Sequence, residues 1–271
     1  MILTSTLHNH CDYCDGHCSA EAMIEAAIDA GFTDFGLSCH SLAPFDLDYS
    51  IKDEDHYLRE LARLREKYAG LIRLAYGTEQ DLYAPVRDRT AYDYIIGSVH
   101  YLRDGKGNYH AVDSSLAEMQ RTVTEVYGGD AMAAIDAYYD NVVRVAEEQR
   151  PDIIGHFDVI KKTNSGSAWF REDDPEYRRI ALNALRRAVK GGAIFEVNTA
   201  PLFKQLQLDV YPSPFLLEEL LRLGAPVMIN TDAHCTEQLV YGIDETAALL
   251  KDIGFRSIMM WKNGGFISQP L

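Results

Sequence analysis

The sequence predicts an α/β fold closed into a (β/α) barrel, and three observations carry that expectation. First, β-prone runs alternate with helical stretches about seven or eight times along the chain, the pattern of a parallel sheet with helical crossovers. Second, six of the nine histidines stand where a β-prone run ends: His8, His10, His40, His100, His156 and His234. Third, those ends are spread over nearly the whole sequence. An open sheet collects its ligands at one crevice, whereas a barrel brings residues from almost every strand to a common axis at its C-terminal face. A barrel is therefore expected, seven-stranded or otherwise irregular, because the run from Asp152 to Gly155 is very short. No internal repeat, low-complexity tract or linker divides the chain, so residues 1–271 read as a single domain.

Each element follows from local signals. Ile2 to Leu7 is a short β-prone run. Ser19 caps a helix through Ala30 that Gly31 closes. Phe32 to Ser38 is the next strand and leads to His40. Asp53 starts a helix to about Ala69, closed by Gly70, and Leu71 to Tyr76 is a strand that delivers Glu79. Tyr92 to Val99, apolar and β-branched, delivers His100. A turn-rich loop, Arg103 to Asn108, precedes two helical stretches, about Ser115 to Tyr127 and Asp130 to Gln149. Asp152 to Gly155 ends at His156. Asp174-Pro175 offers a cap followed by proline at the first helical position, for a helix to about Lys190. Gly192 to Val197 is a strand, Ser213-Pro214 opens a helix to Leu223, and Ala225 to Asn230 delivers Asp232 and His234. Ile243 to Ile253 and Arg256 to Met260 supply a last helix and strand.

Composition narrows the function classes. With 47% hydrophobic and 25% charged residues, the chain has the make-up of an ordinary soluble globular protein. Its net charge of -15, from 26 basic against 41 acidic residues, disfavours nucleic acid or an anionic membrane as partner. A small phosphate ester stays compatible with that charge. No apolar run approaches ~20 residues, and the amino terminus lacks the basic and apolar regions of a secretory signal, so cytoplasm is the expected compartment. The oligomeric state is not legible. Five cysteines show no disulfide spacing. Cys11-x-x-Cys14-x-x-x-Cys18 could begin a structural zinc knot, but no second Cys-x-x-Cys closes the tetrahedron. Small packing residues beneath a metal site are the preferred reading.

The histidines carry the chemistry. His8 and His10 are two apart on a strand, so both side chains project to one face and could hold one metal. Alone, such a pair is a weak signal, and a lone histidine is more often a satisfied polar residue than a ligand. The recurrence at His40, His100, His156 and Asp232-x-His234, with Asp15 and Glu79, makes a multinuclear metal site the better account. Six histidines and three carboxylates exceed what two catalytic metals need at about three protein ligands each. Three metals absorb them if one carboxylate bridges. Nitrogen and oxygen donors without thiolate suit zinc, iron or manganese.

The chain resembles the polymerase and histidinol phosphatase (PHP) superfamily, and within it the histidinol-phosphate phosphatases. The resemblance spans His8 to His234. It rests on His8-Asn-His10, Tyr-Cys-Asp15-Gly, Gly-Leu-Ser-Cys-His40, Tyr-Gly-Thr-Glu79, Asp93-Tyr-Ile-Ile-Gly-Ser-Val-His100, Asp152-Ile-Ile-Gly-His156-Phe-Asp, Phe195-Glu-Val-Asn-Thr199, Tyr211-Pro-Ser213 and Asn-Thr-Asp232-Ala-His234. It implies a distorted (β/α)7, TIM-like barrel with three divalent transition metals at the C-terminal face of the strands. His8, His10, Glu79 and Asp232 would hold one metal. Glu79 would bridge to a second, bound by His100 and His156, and Asp15, His40 and His234 would hold the third. The implied reaction is hydrolysis of L-histidinol phosphate, a step of histidine biosynthesis, by attack of a metal-bridged hydroxide. A metal can lower the pKa of water from 15.7 toward ~7. Asp232 and His234 are the candidates for general acid/base work.

Phosphate calls for basic partners near the same face. Family members supply basic residues, often arginine, after the strands ending at His156 and Asn198. Here those places hold Lys161, Lys162 and Lys204, which bind phosphate as point charges without arginine's bidentate fork or else are solvated surface lysines. His17 is a further candidate phosphate contact. His56 and His110 are not expected as ligands. A histidinol leaving group carries an ammonium, so an acidic wall is expected, with Asp46, Asp48 and Tyr101 as loop candidates. The competing readings are a PHP phosphoesterase for another small phosphate ester, an amidohydrolase barrel and a non-catalytic metal-stabilised module. The Glu79 strand and the Asp-x-His ending disfavour the amidohydrolase.

Overall fold

The computed structural model describes residues 3–203 and 209–271, so the expected strand start at Ile2 and the candidate Lys204 lie outside the described residues. Seven parallel strands form one sheet. In chain order these are β1 (Ser5–Thr6), β2 (Asp34–Leu37), β3 (Arg73–Asp81) and β4 (Tyr94–Ser98), followed, after the hairpin β5 (Tyr101–Arg103) and β6 (Tyr109–Ala111), by β7 (Ile153–Ile154), β8 (Ile194–Asn198) and β9 (Val227–Asn230). The neighbours run β1-β2-β3-β4-β7-β8-β9. β1 and β9 share no ladder, yet just beyond them Asn9 bridges Ala233 in parallel, and His10 N donates to Ala233 O at 2.7 Å. The sheet is therefore a nearly closed, distorted (β/α)7 barrel.

The strands read as apolar runs because both faces are covered, as in parallel sheets flanked by helices. Every residue of β2, β4, β8 and β9 is buried. The surrounding helices are α1 (Ala20–Asp29), α2 (Glu54–Lys67), α3 (Leu116–Val126), α4 (Ala131–Arg144), α5 (Pro175–Ala188), α6 (Ala200–Phe203), α7 (Pro214–Leu223) and α8 (Ile243–Ile253). The expected caps are present. Ser19, Asp53 and Asp174 accept from Ala22 N, His56 N and Glu176 N, respectively. In α5 the buried positions Tyr177, Ile180, Ala181, Ala184, Leu185 and Ala188 recur at helical spacing and form its inward stripe.

Three elements differ from the sequence-based expectation. β3 runs to Asp81 rather than Tyr76, because its first half pairs with β2 and its second half, Gly77 to Asp81, pairs with β4. Glu79 thus lies within the strand. The expected loop, Arg103 to Asn108, is the turn of a hairpin whose short strands β5 and β6 were not expected, and Asp104 Oδ1 ties it by accepting from Lys106 N and Asn108 N. The strand expected last, Arg256 to Met260, is β10 (Ser257–Lys262) and does not join the barrel. It pairs antiparallel with β11 (Gly265–Pro270), and Trp261 N donates to Ser5 Oγ at 3.2 Å.

Inside the barrel, Leu7, Ala75, Tyr94, Ile96, Ile153, Ile194, Met228 and Trp261 form a separate apolar cluster. Tyr94 crosses the interior, its hydroxyl donating to Leu7 O. Glycine is required opposite it, since a Cβ on Gly36 or Gly77 would stand 2.1 Å from the Tyr94 ring or hydroxyl. Among the described residues no helix is long and apolar enough to cross a membrane.

Candidate metal centre

The C-terminal ends of the strands bring all nine expected ligands together. His8 and His10 follow β1, His40 follows β2, Glu79 is on β3, His100 follows β4, His156 follows β7, and Asp232 and His234 follow β9. Asp15 arrives from the loop between His10 and α1. A tight turn places it there, with Cys14 N and Gly16 N donating to Cys11 O and His17 N donating to His234 O at 2.7 Å. Asp232 sits at φ 50, a left-handed conformation that aspartate tolerates better than most residues and that recurs at functional sites.

Glu79 is the hub. Its Oε2 lies 3.1 Å from His8 Nε2, 3.4 Å from His10 Nε2 and 2.9 Å from His40 Nδ1. Its Oε1 lies 3.3 Å from His100 Nε2 and 2.7 Å from His156 Nε2. Asp232 Oδ1 is 3.2 Å from His10 Nε2 and 3.5 Å from His8 Nε2. Asp15 reaches His40 Nε2 at 3.6 Å and His234 Nε2 at 3.4 Å. Donor atoms around one tetrahedral zinc, each about 2.0–2.2 Å from it, stand about 3.4 Å from each other. Most of these separations match that edge.

The donors also lack ordinary partners. His8 Nε2, His10 Nε2, His40 Nδ1, Asp15 Oδ1 and Glu79 Oε2 are buried without a hydrogen bond among the described residues. Leaving such atoms unpaired costs about 1–3 kcal/mol each, which metal coordination would offset. The residues therefore fit divalent metal ions. Four overlapping donor groups appear: His10, Asp15, His40 and His234; His8, His10 and Asp232; His8, Glu79 and His156; and His40, Glu79 and His100.

Electrostatics agree with that fit. Burial disfavours the charged forms of Glu79 and Asp232, but the surrounding histidines outweigh it and hold both carboxyls well below their ordinary range. Burial likewise opposes the His8 imidazolium, and Glu196, Asp232 and Glu79 overcome it, raising its pKa well above 6.5. Glu196 of β8 holds His8 Nδ1 at 2.6 Å, which fixes the ring with Nε2 turned to the centre. Glu196 also accepts from His156 N and Asn230 Nδ2. His234 Nδ1 lies 2.9 Å from Asp232 O, so Nε2 is its free ligand atom.

The other predicted contacts separate. A cavity of about 320 Å³ opens over the centre, lined by His17, Tyr49, Asp113, Lys162, Tyr211 and Gln238 besides the ligands. Lys162 Nζ donates to Asp113 Oδ2 at 2.7 Å. Lys161, in contrast, does not line the cavity. Its ammonium is buried on Val210 O, Ser213 Oγ and Asp158 Oδ2, which occupy its three donors. Asp46 and Tyr101 bond to each other at 2.8 Å and, like Asp48, are not part of the cavity wall. The cavity carboxylate outside the ligand set is Asp113. His56 lies on α2, and His110 pairs with Asp104. The cysteines are free. Cys11 and Cys39 are buried with sulfurs 3.4 Å apart, and Cys14 Sγ lies 3.4 Å from His10 Nδ1. Cys11 and Cys39 belong to the main core, Cys14 and Cys18 pack against it, and no cysteine belongs to a donor group.

Sequence reasoning placed Glu196 and Tyr211 only within segments of the family resemblance, without a role, and missed Asp113, Tyr49 and Gln238. For Glu196 a signal existed: in Phe195-Glu-Val-Asn198, apolar and polar residues alternate, which turns Glu196 and Asn198 to the face opposite Phe195 and Val197. Asp113 and Gln238 carried none, because they come from loops positioned by tertiary packing.

Fold and site together define a barrel with a clustered metal centre, the arrangement of metal-dependent hydrolases. More narrowly, the chain belongs to the PHP domain family, which it matches over residues 6–200. It is 26% identical over 264 residues to a Deinococcus radiodurans protein named "Probable histidinol-phosphatase", covering 93% of this chain and 94% of that protein. It is 23% identical over 266 residues to the histidinol-phosphatase of Bacillus subtilis, covering 88% and 96%. In structure it resembles a Listeria monocytogenes chain with TM-score 0.75 at 21% identity, covering 89% of this chain and 99% of that one. It also resembles the histidinol phosphate phosphatase of Lactococcus lactis, solved with zinc, L-histidinol and phosphate. There the TM-score is 0.68 at 19% identity, covering 98% and 100%.

Proposed function

We propose that this chain is a metal-dependent phosphomonoesterase, acting as one domain, that hydrolyses L-histidinol phosphate to L-histidinol and phosphate. The convergence of nine imidazole and carboxylate donors, Glu79 among them as the shared one, carries the reading. Relatives named histidinol-phosphatase, aligned over nearly their whole length, support the substrate. So does the Lactococcus lactis structure, which contains both products of that reaction.

Three divalent ions of the zinc, iron or manganese type are the proposed complement. His8, His10, Glu79 and Asp232 would hold one, Glu79, His100 and His156 the second, and Asp15, His40 and His234 the third. Bound ions would supply Lewis acidity, activating water and neutralising phosphoryl charge. The chain's own residues do the rest. Lys162, with one donor on Asp113, keeps its charge at the cavity wall for the phosphate, beside His17. Asp113 supplies the acidic wall that a leaving group with an ammonium needs. Asp232 and His234 lie beside each other at the cavity edge and are the proposed proton-handling pair for the departing alkoxide.

The test is steady-state kinetics of metal-loaded protein on histidinol phosphate, p-nitrophenyl phosphate and nucleotides. A kcat/KM for histidinol phosphate far above the others is expected. Equal efficiency on the generic ester would leave a phosphoesterase for another small substrate, and no turnover on any of them would leave a non-catalytic metal-stabilised domain.

A further inference from the structure

A buried lysine holds the segment that carries Tyr211. Lys161 is 1% exposed, and its ammonium donates to Val210 O at 3.0 Å and Ser213 Oγ at 2.6 Å. Asp158 Oδ2, 3.3 Å from the same ammonium, accepts from Ser213 N at 2.9 Å and from Ser213 Oγ at 2.6 Å. The residues flanking Tyr211 are thereby pinned to the loop that follows β7. Tyr211 itself exchanges two backbone hydrogen bonds with Asn198, at 2.7 and 3.0 Å, and Asn198 Nδ2 donates to Asp232 Oδ2 at 3.1 Å. One chain of contacts thus runs from the lysine through Tyr211 to the metal centre.

Tyr211 is the residue this clamp presents. It lines the cavity over the centre, is 3% exposed, and its hydroxyl has no hydrogen-bond partner among the described residues. A buried hydroxyl held without a partner is costly unless a ligand supplies one. A phosphoryl group brings three terminal oxygens. Bound metal ions and Lys162 would provide cationic partners, and a phenol would add a neutral donor. Burial, with Asp158, Asp113 and Asp232 nearby, pushes the phenol's pKa up, so the proton stays available.

We propose that Tyr211 contacts the substrate, its hydroxyl donating to a phosphoryl oxygen, and that Lys161 is the positioning residue that holds it there. The inference rests on the phosphomonoesterase reading for the identity of the ligand, and it gives the lysine after Ile160 a role other than binding phosphate.

The experiment measures inorganic phosphate binding to the metal-loaded protein by calorimetry, beside metal content and turnover. Tyr211→Phe is expected to weaken phosphate binding roughly 10- to 100-fold, the range for a hydrogen bond to a charged group, with metal content unchanged. Lys161→Met should produce a similar loss, Lys161→Arg should restore most of it, and Tyr211→Phe added to Lys161→Met should cost little more. Phosphate affinity of Tyr211→Phe within about twofold of the parent overturns the contact. Losses that multiply in the double variant overturn the positioning role, and Lys161→Arg answers that question if Lys161→Met does not fold. Should the parent bind phosphate but turn over no phosphomonoester, the hydrolase reading fails while the Tyr211 contact is still decided by the binding data.

Discussion

At the C-terminal end of the barrel, nine imidazole and carboxylate side chains face each other, and several of their buried atoms have no hydrogen-bond partner among the described residues. At the opposite end, Trp261 of β10 packs with Leu7, Ala75, Tyr94, Ile153, Ile194 and Met228 of the same strands. Asp34 there is fully satisfied by a two-pronged contact with Arg73 and by Asn263 N. The two ends share a backbone and differ in what completes them. Apolar contact and paired charges complete the lower end from within the chain. At the upper end bound metal would complete the set, and without it buried polar atoms are left unpaired at a cost that the rest of the fold offsets.

The strongest way to break this contrast is Glu79→Ala. It removes the carboxylate shared by five histidines and leaves them without a bridge, so turnover should fall by at least about 1000-fold, with loss of bound metal. Elemental analysis beside kinetics checks it, and a variant that keeps both metal and activity would sink the hub role. At the other end, Trp261→Ala should cost about 3–5 kcal/mol of stability in denaturant melts while metal content and turnover of the folded protein hold within about twofold. A turnover loss matching the stability loss would show that the ends are not independent.

Glu196→Gln sharpens the comparison at the supporting layer. With the His8 ring no longer held by a carboxylate, metal affinity should drop roughly 10- to 100-fold in chelator competition. The last test is titration, which perturbs no side chain. In the metal-free protein burial disfavours the His100 imidazolium, but the Glu79 carboxylate, with Asp81, outweighs it and raises the pKa from 6.5 to about 10. The ring then carries a proton at neutral pH that metal binding must expel. Through this group metal affinity should rise with pH up to about 10 and level off above. Calorimetry in buffers of different ionisation enthalpy reads this as protons released on binding. The absence of any release at pH 7.5 would falsify it. In the metal-free protein the sign reverses, because the stability His100 gains from its carboxylates is full below its unfolded pKa of about 6.5 and is lost as pH rises toward 10.

Much of the upper end is legible along the chain because its candidate donors fall at strand ends and a parallel β/α pattern sends all such ends one way. His8 and His10, His40, His100, His156 and Asp232-x-His234 are found by position alone. The lower end is far less legible. The run at Ser257 reads as one more strand, and nothing local says that it leaves the barrel, pairs with β11 and turns Trp261 beneath the others. Lys161 and Lys162 are neighbours with opposite fates, one buried on Asp158 and Ser213, the other at the cavity wall. Adjacent residues in a short helical turn point in different directions, and only the surrounding loops decide which direction is the cavity.

The sequence by itself determined the α/β barrel and singled out nine candidate donors that gather at one end, since periodicity and side-chain chemistry are local properties read residue by residue. The tertiary structure decided that Glu79 lies within a long β3 and is shared by five histidines, that Glu196 orients His8, and that Asp113, Tyr211 and Gln238 form the cavity wall. Those are facts of distance between segments far apart in the chain. They depend on the stagger of the strands and on how each loop packs over its neighbours, which no local pattern encodes.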